Sequence, residues 1–287
     1  MSPHDQIFET HRPRLLALAY RMLGTRADAE DTVQDAWLRW RQADPADVRD
    51  PTGWLVATVT RLGIDRLRLA SHARTDYVGP WLPEPLTIDD SPGPAGRAEL
   101  AEQVSIAFLA LLERLGPEER AAFLLREVFD YDYAHIAAML GHGEANCRQM
   151  VHRARERVQA GRARFPEVAP ERHRALLERF LHASSSGDRD AIMALLHADA
   201  RLRSDGGGKA IAALRPLEGA DRIARLYRAV ARRAPHGTHW RLGRVNGELA
   251  GLRFVDGRLK SVTTIVSDGE RILEVLNQMN PDKLRLH

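Results

Sequence analysis

The chain has 287 residues, a formal net charge of +3 and one cysteine. That length accommodates two or three domains of ordinary size. A lone Cys147 excludes an internal disulfide framework, and no stretch reaches the ~18 uninterrupted apolar residues of a spanning helix. The polar opening MSPHDQIFETHRPR does not read as a signal peptide, so a cytoplasmic protein is expected. So small a net charge does not by itself point to nucleic acid. The arginines nevertheless come in local blocks, the pattern to inspect for a phosphate-facing surface.

Residues 4–72 read as a helical domain. Gly24 stops a first helix, and Thr25-Arg26-Ala27-Asp28 resembles a capping box. Ala29, Val33, Ala36, Trp37 and Trp40 then recur at helical spacing. Asp50-Pro51 opens a third helix, because aspartate caps and proline suits the first helical position; Leu55, Val59, Leu62 and Leu69 form its apolar stripe. Residues 73–96 break all periodicity. Pro80, Pro83, Pro85, Pro92 and Pro94 require extended or turning backbone there. A solvated spacer has no need of Trp81, Leu82 and Leu86, so this linker reads as a docking strip, the alternative being a rigid proline-rich spacer.

A second helical domain spans residues 97–165. Leu100, Val104, Ala107, Phe108, Leu111 and Leu115 share a face, and Gly116-Pro117 ends one helix and starts the next. YAHIAAML and EANCRQMVHRARERV, joined by Gly141-His142-Gly143, have the length and glycine content of a helix-turn-helix. Cys147, Val151, Ala154 and Val158 face a core on the second helix, leaving Arg148, Gln149, His152 and Arg153 outside. Arginine and glutamine make bidentate contacts to base edges in a major groove. An arginine-rich solvated face has the same pattern, and the spacing alone leaves both open.

Residues 171–287 change architecture. HRALLERFLHAS and DAIMALLH are helical, a short strand leads into SDGGGK, and ADRIARLYRAVARRA is helical again. Asn246-Gly247, Asp256-Gly257 and Asp268-Gly269 signal two-residue turns between antiparallel strands. The expectation is an α+β domain whose curved sheet is wrapped by helices. Such a fold often encloses a pocket, which opens the possibility of a small-molecule ligand in this C-terminal domain.

RADAEDTVQDAWLRWRQ resembles the second conserved region of extracytoplasmic-function (ECF) sigma factors, and YDYAHIAAMLGHGEANCRQMVHRARERV is similar to their fourth region. The tail from about Glu171 resembles a SnoaL-like domain of the NTF2-like superfamily. GPWLPEPL, DGGGK and NPDKL resemble signature segments of the sigma-factor group that carries this fusion. His135 stands where the family often has glutamate, and Gly143 replaces the common serine or threonine cap of the reader helix.

The resemblance implies two all-α sigma domains joined by the linker, then an NTF2-like domain at 171–287. It implies that Asp28, Asp31, Gln34 and Asp35 dock on core RNA polymerase. Trp54, Arg61, Arg66 and Arg68 would hold melted promoter DNA, although a core position suits Trp54 better. Asn146, Arg148, Gln149, His152, Arg153 and Arg155 would meet the upstream duplex element, with Arg162 on phosphates. The linker residues Trp81, Leu82, Pro83, Glu84, Pro85 and Leu86 would dock near Asp205, Gly206, Gly207, Gly208 and Lys209. The tail Asn280, Pro281, Asp282, Lys283 and Leu284 would join them, with Lys209 and Lys283 pairing with Glu84 or Asp282. Two other readings remain: a helix-turn-helix regulator independent of polymerase, and an enzyme using Asp205, His239 or Lys209. No spacing supports a catalytic constellation or a metal-ligand cluster, so no enzyme, metal or cofactor is expected.

Overall fold

The computed structural model describes residues 3–43, 48–73, 76–89, 104–162 and 168–284; Pro92, Pro94, Leu100 and the Arg162 side chain lie outside this description. Two compact units divide the chain, one drawn chiefly from residues 1–75 and 108–160, the other from 76–96 and 161–287.

The first unit is helical: α1 (Pro3–Leu23), α2 (Arg26–Gln42), α3 (Pro51–Ala73), α4 (Ile106–Leu112), α5 (Pro117–Glu127), α6 (Tyr133–Leu140) and α7 (Glu144–Arg162). Thr25 caps α2 by accepting from the Asp28 amide, after Gly24 has turned the chain at φ 76°. Asp50 accepts from the Gly53 amide at 3.0 Å and so caps α3 behind Pro51. Ala29, Val33, Ala36 and Trp40 are buried; Trp37 is half-buried, its ring 4.7 Å from that of Phe8. Leu69 departs from the expected stripe, standing 72% exposed while Ile64 and Leu67 are buried. Over the last turns of α3 the covered face has rotated away from Leu69. Arg120, 2% exposed, ties the unit internally by donating to the Met22 carbonyl (2.6 Å) and to Glu113 (2.7 Å).

Asp132 caps α6 and Gly141 ends it in the left-handed conformation. Gly143 offers no side chain, yet α7 begins at Glu144, and the Cys147 amide bonds to the Gly143 carbonyl at 3.1 Å. Cys147, Val151, Ala154 and Val158 are all buried, as their spacing predicts.

Among the described residues the second unit contains α8 (Pro170–Ser186), α9 (Arg189–Leu195), α10 (Ala220–Arg232) and seven strands. These are β1 (Ile88–Asp89), β2 (Leu196–Asp205), β3 (Leu217–Glu218), β4 (His239–Val245), β5 (Glu248–Val255), β6 (Arg258–Ser267) and β7 (Ile272–Gln278). The sheet order is β1-β4-β5-β6-β7-β2-β3; β2 lies parallel to β7 and every other pair is antiparallel. Leu177, Phe180, Ile192, Ile223, Ile272 and Val275 fill the core between sheet and helices.

Asn246-Gly247 and Asp256-Gly257 adopt positive φ at both positions, as two-residue hairpins demand. The third signal closes differently. Asp268 to Arg271 form a four-residue loop in which the Asp268 carboxylate accepts from the Glu270 and Arg271 amides. Nor is the strand before SDGGGK short: β2 is ten residues long and takes Leu196 and His197 from the stretch expected to be helical. Its pairing with β7 holds both ends, at Leu196 and from Arg201 to Asp205, with an irregularity between them. The linker itself contributes β1, which extends the sheet at β4.

Candidate functional site

The best-defined polar constellation lies in the second unit, where β2 ends and the linker crosses it. Asp205, fully buried, offers Oδ1 to the Tyr77 hydroxyl at 2.5 Å. Its Oδ2 accepts from the Leu82 amide (2.9 Å), the Lys283 ammonium (2.8 Å) and Gln278 Nε2 (3.4 Å). Lys283 also donates to the Leu82 carbonyl at 2.7 Å, and its Nζ lies 4.2 Å from the centroid of the Trp81 ring. Gln278 donates to the carbonyls of Leu82 and Pro83. Asn280 donates to the Tyr77 oxygen at 3.0 Å, and burial together with the Asp205 bond pushes the Tyr77 phenol above its ordinary value.

Each signature segment has a part in this. Leu82 is wholly buried, Leu86, Pro83 and Pro85 are buried, and Trp81 and Glu84 are half-buried. Gly207 and Gly208 have φ of 57° and 71°; a Cβ on Gly207 would lie 2.3 Å from Asn280 Nδ2 and one on Gly206 would lie 2.5 Å from the Ala210 carbonyl oxygen. Only glycine fits such a left-handed, crowded loop. Asn280 caps the 3-10 turn Pro281–Lys283, which aims Lys283 inward, with Leu284 following. Lys209 pairs with Asp282 at 2.5 Å in solvent. The sequence reading missed three members: Tyr77, Gln278 and Asn246, whose Oδ1 accepts from the amides of Leu86 (2.8 Å) and Thr87 (3.3 Å). The Asn246-Gly247 turn was visible, but its second duty is set by the linker, far away in sequence.

In the first unit, Asp28 and Asp31 are exposed beside Gln34, and Asp35 is half-buried. Arg66 reaches back from α3 to Asp35 (2.7 Å) and Asp31 (3.8 Å). Trp54 packs its ring 5.4 Å from Trp40. Arg61 donates to the Met139 and Ala138 carbonyls, and Arg68 pairs with Glu118. These basic groups of α3 therefore all have intramolecular acceptors.

On α7, Asn146, Arg148, Gln149 and His152 are exposed on the side opposite the buried stripe, and Arg153 and Arg155 are half-buried. Arg148 bonds to Glu144 and lies 4.6 Å over the Tyr133 ring; Arg153 pairs with Glu119 and Arg155 with Glu127. His135 bonds to Asp132 at the start of α6.

A cavity of about 650 Å³ opens between α8, α10 and strands β4 and β5. Tyr227 and Ser184 line it, and their buried hydroxyls have no hydrogen-bond partner among the described residues. Burial pushes the Tyr227 phenol up and the lining Arg253 guanidinium down. His239 is at this cavity, whereas Asp205 and Lys209 belong to the linker site, so the three acid/base candidates are not brought together. Among the described residues no cluster suited to a metal ion occurs, and no helix is long and apolar enough to cross a membrane.

Comparison with known proteins accounts for this arrangement. Sigma-70 region 2 matches residues 7–73, sigma-70 region 4 matches 105–158, and the SnoaL-like domain matches 177–272. The chain is 39% identical over 289 residues to the ECF RNA polymerase sigma factor SigJ of Mycobacterium tuberculosis H37Rv, covering 96% of this chain and 91% of SigJ. It is 37% identical over 201 residues to the probable ECF RNA polymerase sigma factor SigI of the same organism, covering 68% and 69%. The crystal structure of M. tuberculosis SigJ matches with a TM-score of 0.75 at 35% identity, over 96% of both chains. With two sigma-70 regions in order, a SnoaL-like domain behind them and similarity along nearly the whole of SigJ, the chain belongs to the extracytoplasmic-function RNA polymerase sigma factors.

Proposed function

We propose that this sigma factor binds core RNA polymerase in the cytoplasm through Asp28, Asp31, Gln34 and Asp35. Residues Trp54, Arg61, Arg66 and Arg68 contact the melted promoter strand, and α7 reads the upstream duplex. The observation that carries the reading is the outward set Asn146, Arg148, Gln149 and His152, backed by the buried stripe of α7 behind a helix-turn-helix corner. The pairs that hold Arg66, Arg68, Arg148 and Arg155 are solvent-accessible. Exposed pairs are worth only ~0–1 kcal/mol each, so exchanging a carboxylate for a phosphate costs little.

The C-terminal domain acts in cis and does no chemistry. It holds the segment between the two sigma regions by the Asp205–Lys283 node, and so controls the reach of one region from the other. Run-off transcription with purified core polymerase, on promoters recovered by genomic selection, tests the function. Core-dependent initiation is expected, and failure on every selected promoter refutes it. Removing residues 171–287 should change promoter-dependent initiation without abolishing core binding. The unpartnered Tyr227 and Ser184 hydroxyls favour one addition, a small polar ligand in the cavity they line.

A further inference from the structure

Between Asp221 and Glu248 the chain has seven arginines and no carboxylate, although its overall net charge is only +3. Five of those seven lie on or at the end of α10. Its inner face buries Ile223, Ala224 and Tyr227, while Arg222, Arg225, Arg228, Arg232 and Arg233 are all exposed. Arg189, from the start of α9, joins Arg225, Arg228, Arg232 and Arg233 around one open groove of about 620 Å³.

Carboxylates do not neutralise this groove. Asp221 is shared between Arg189 and Arg225, and Asp190 serves Arg189 as well. Arg222, Arg228, Arg232 and Arg233 have no acidic partner among the described residues. Like charges three and four residues apart, as at 222, 225, 228 and 232, destabilise a helix. The helix dipole accounts for Arg232 and Arg233 in the last turn, where cations are favoured. It gives no reason for Arg222, Arg225 and Arg228 farther up. A solvated helix face ordinarily mixes both signs along its length, whereas here Asp221 is the one carboxylate and every charge after it on α10 is an arginine.

We infer that the arginine face of α10 is a second nucleic-acid surface, one that grips the phosphate backbone of duplex DNA without reading sequence. It rests on the reading that the helix-turn-helix engages DNA, which keeps this domain near the duplex by covalent attachment. The spacing selects a polyanion over a single free anion. Arg225 to Arg233 covers about 12 Å of helix, while phosphates succeed one another every ~3.4 Å along each strand axis, so the row spans several. Guanidinium forks suit phosphate oxygens bidentately, and apart from Ala229 every groove-lining residue is an arginine, so no large apolar side chain is there to stack on a base or enter a membrane.

The test measures binding of the full-length chain to random-sequence duplex across a salt series, comparing wild type with R228Q/R232Q/R233Q. Each phosphate contact contributes about 0.9 to the slope of log affinity against log salt. Losing three should make the slope shallower by about 2 to 3, while the ratio of promoter to random binding stays within about twofold. The Lys triple at the same positions should keep the steep slope, which separates charge from a folding defect. Arg148→Ala should do the reverse, lowering the ratio with little change in slope. If Arg148→Ala fails to do so while the α10 variant behaves as stated, the reader assignment falls and the α10 surface stands. An unchanged slope in the Gln triple overturns the inference, as does an absence of random-duplex binding by wild type at low salt. Displacement of DNA by millimolar inorganic phosphate beyond its ionic-strength effect overturns it too, as does tighter α10-dependent binding to phosphatidylglycerol vesicles than to DNA.

Discussion

Replacing Asp205 with asparagine removes the charge at the centre of the linker site while nearly preserving its shape. The carboxylate is fully buried and receives Tyr77 on one oxygen and Leu82, Lys283 and Gln278 on the other. Asparagine has one acceptor oxygen, so its amide nitrogen must face either the Tyr77 hydroxyl or the Leu82 amide and the Lys283 ammonium. Lys283, with its side chain 9% exposed, is then left without this counter-charge. Breaking a buried pair from one side costs ~3–5 kcal/mol. At ~1.4 kcal/mol per tenfold, linker opening becomes more than about a hundredfold more populated. Hydrogen exchange of the Leu82 amide, which donates directly to Asp205, reports that opening. Lys209→Ala is the control: its pair with Asp282 is more than half exposed and is worth ~0–1 kcal/mol. Adding Lys283→Met to Asp205→Asn removes the stranded charge, so the double change should be milder than the sum by ~1–3 kcal/mol. Equal acceleration by Asp205→Asn and Lys209→Ala, or strict additivity in the double variant, refutes the reasoning.

Leu82→Ala should weaken linker docking by ~2–5 kcal/mol, and Trp81→Ala by less, because Leu82 is wholly buried and Trp81 only half; linker exchange ranks the two. Gly207→Ala meets both a left-handed φ and Asn280, whereas Gly257→Ala, with nothing within 4 Å, meets only the backbone cost of ~1–2 kcal/mol, so thermal melts should show the larger loss at Gly207. The Tyr77 phenol is protonated when docked and held above its ordinary value by burial and Asp205. Docking is therefore at full strength below pH ~10, where a free phenol begins to ionise, and weakens as pH rises further. Trp81 emission should follow that loss, and Tyr77→Phe should remove this pH dependence. Arg148→Ala or Gln149→Ala should cost ~1–3 kcal/mol at one promoter position in a base-substitution binding series, leaving random DNA nearly unaffected.

What was legible in the residues was the chemistry that acts over a few positions. The Thr25 and Asp50 caps, the Cys147 stripe and the two hairpins at Asn246-Gly247 and Asp256-Gly257 need only local geometry. Leu69 failed because the buried face of a long helix depends on what covers its last turns. Asp268-Gly269 failed because the aspartate captures two backbone amides and closes a longer loop. The length of β2 depends on β7, some seventy residues later. In the linker site the segments GPWLPEPL, DGGGK and NPDKL were visible, but the Lys283–Asp205 pair and the Tyr77, Gln278 and Asn246 contacts were not. Each joins residues more than 70 positions apart, and no periodicity encodes such a meeting.

The linker is gripped largely by its main chain: the amides of Leu82, Leu86 and Thr87 and the carbonyls of Leu82, Pro83 and Thr87 all have partners on the C-terminal domain. A covalently attached segment of this kind faces its cleft at an effective concentration in the millimolar range. A separate peptide of the same backbone shape must therefore compete against millimolar self-ligand, and micromolar affinity at micromolar concentration leaves the cleft closed. Release in trans by mimicry is thus disfavoured by mass action alone. A signal that opens the linker has to act on the intramolecular equilibrium itself, through the protonation, strain or occupancy of groups already attached to it.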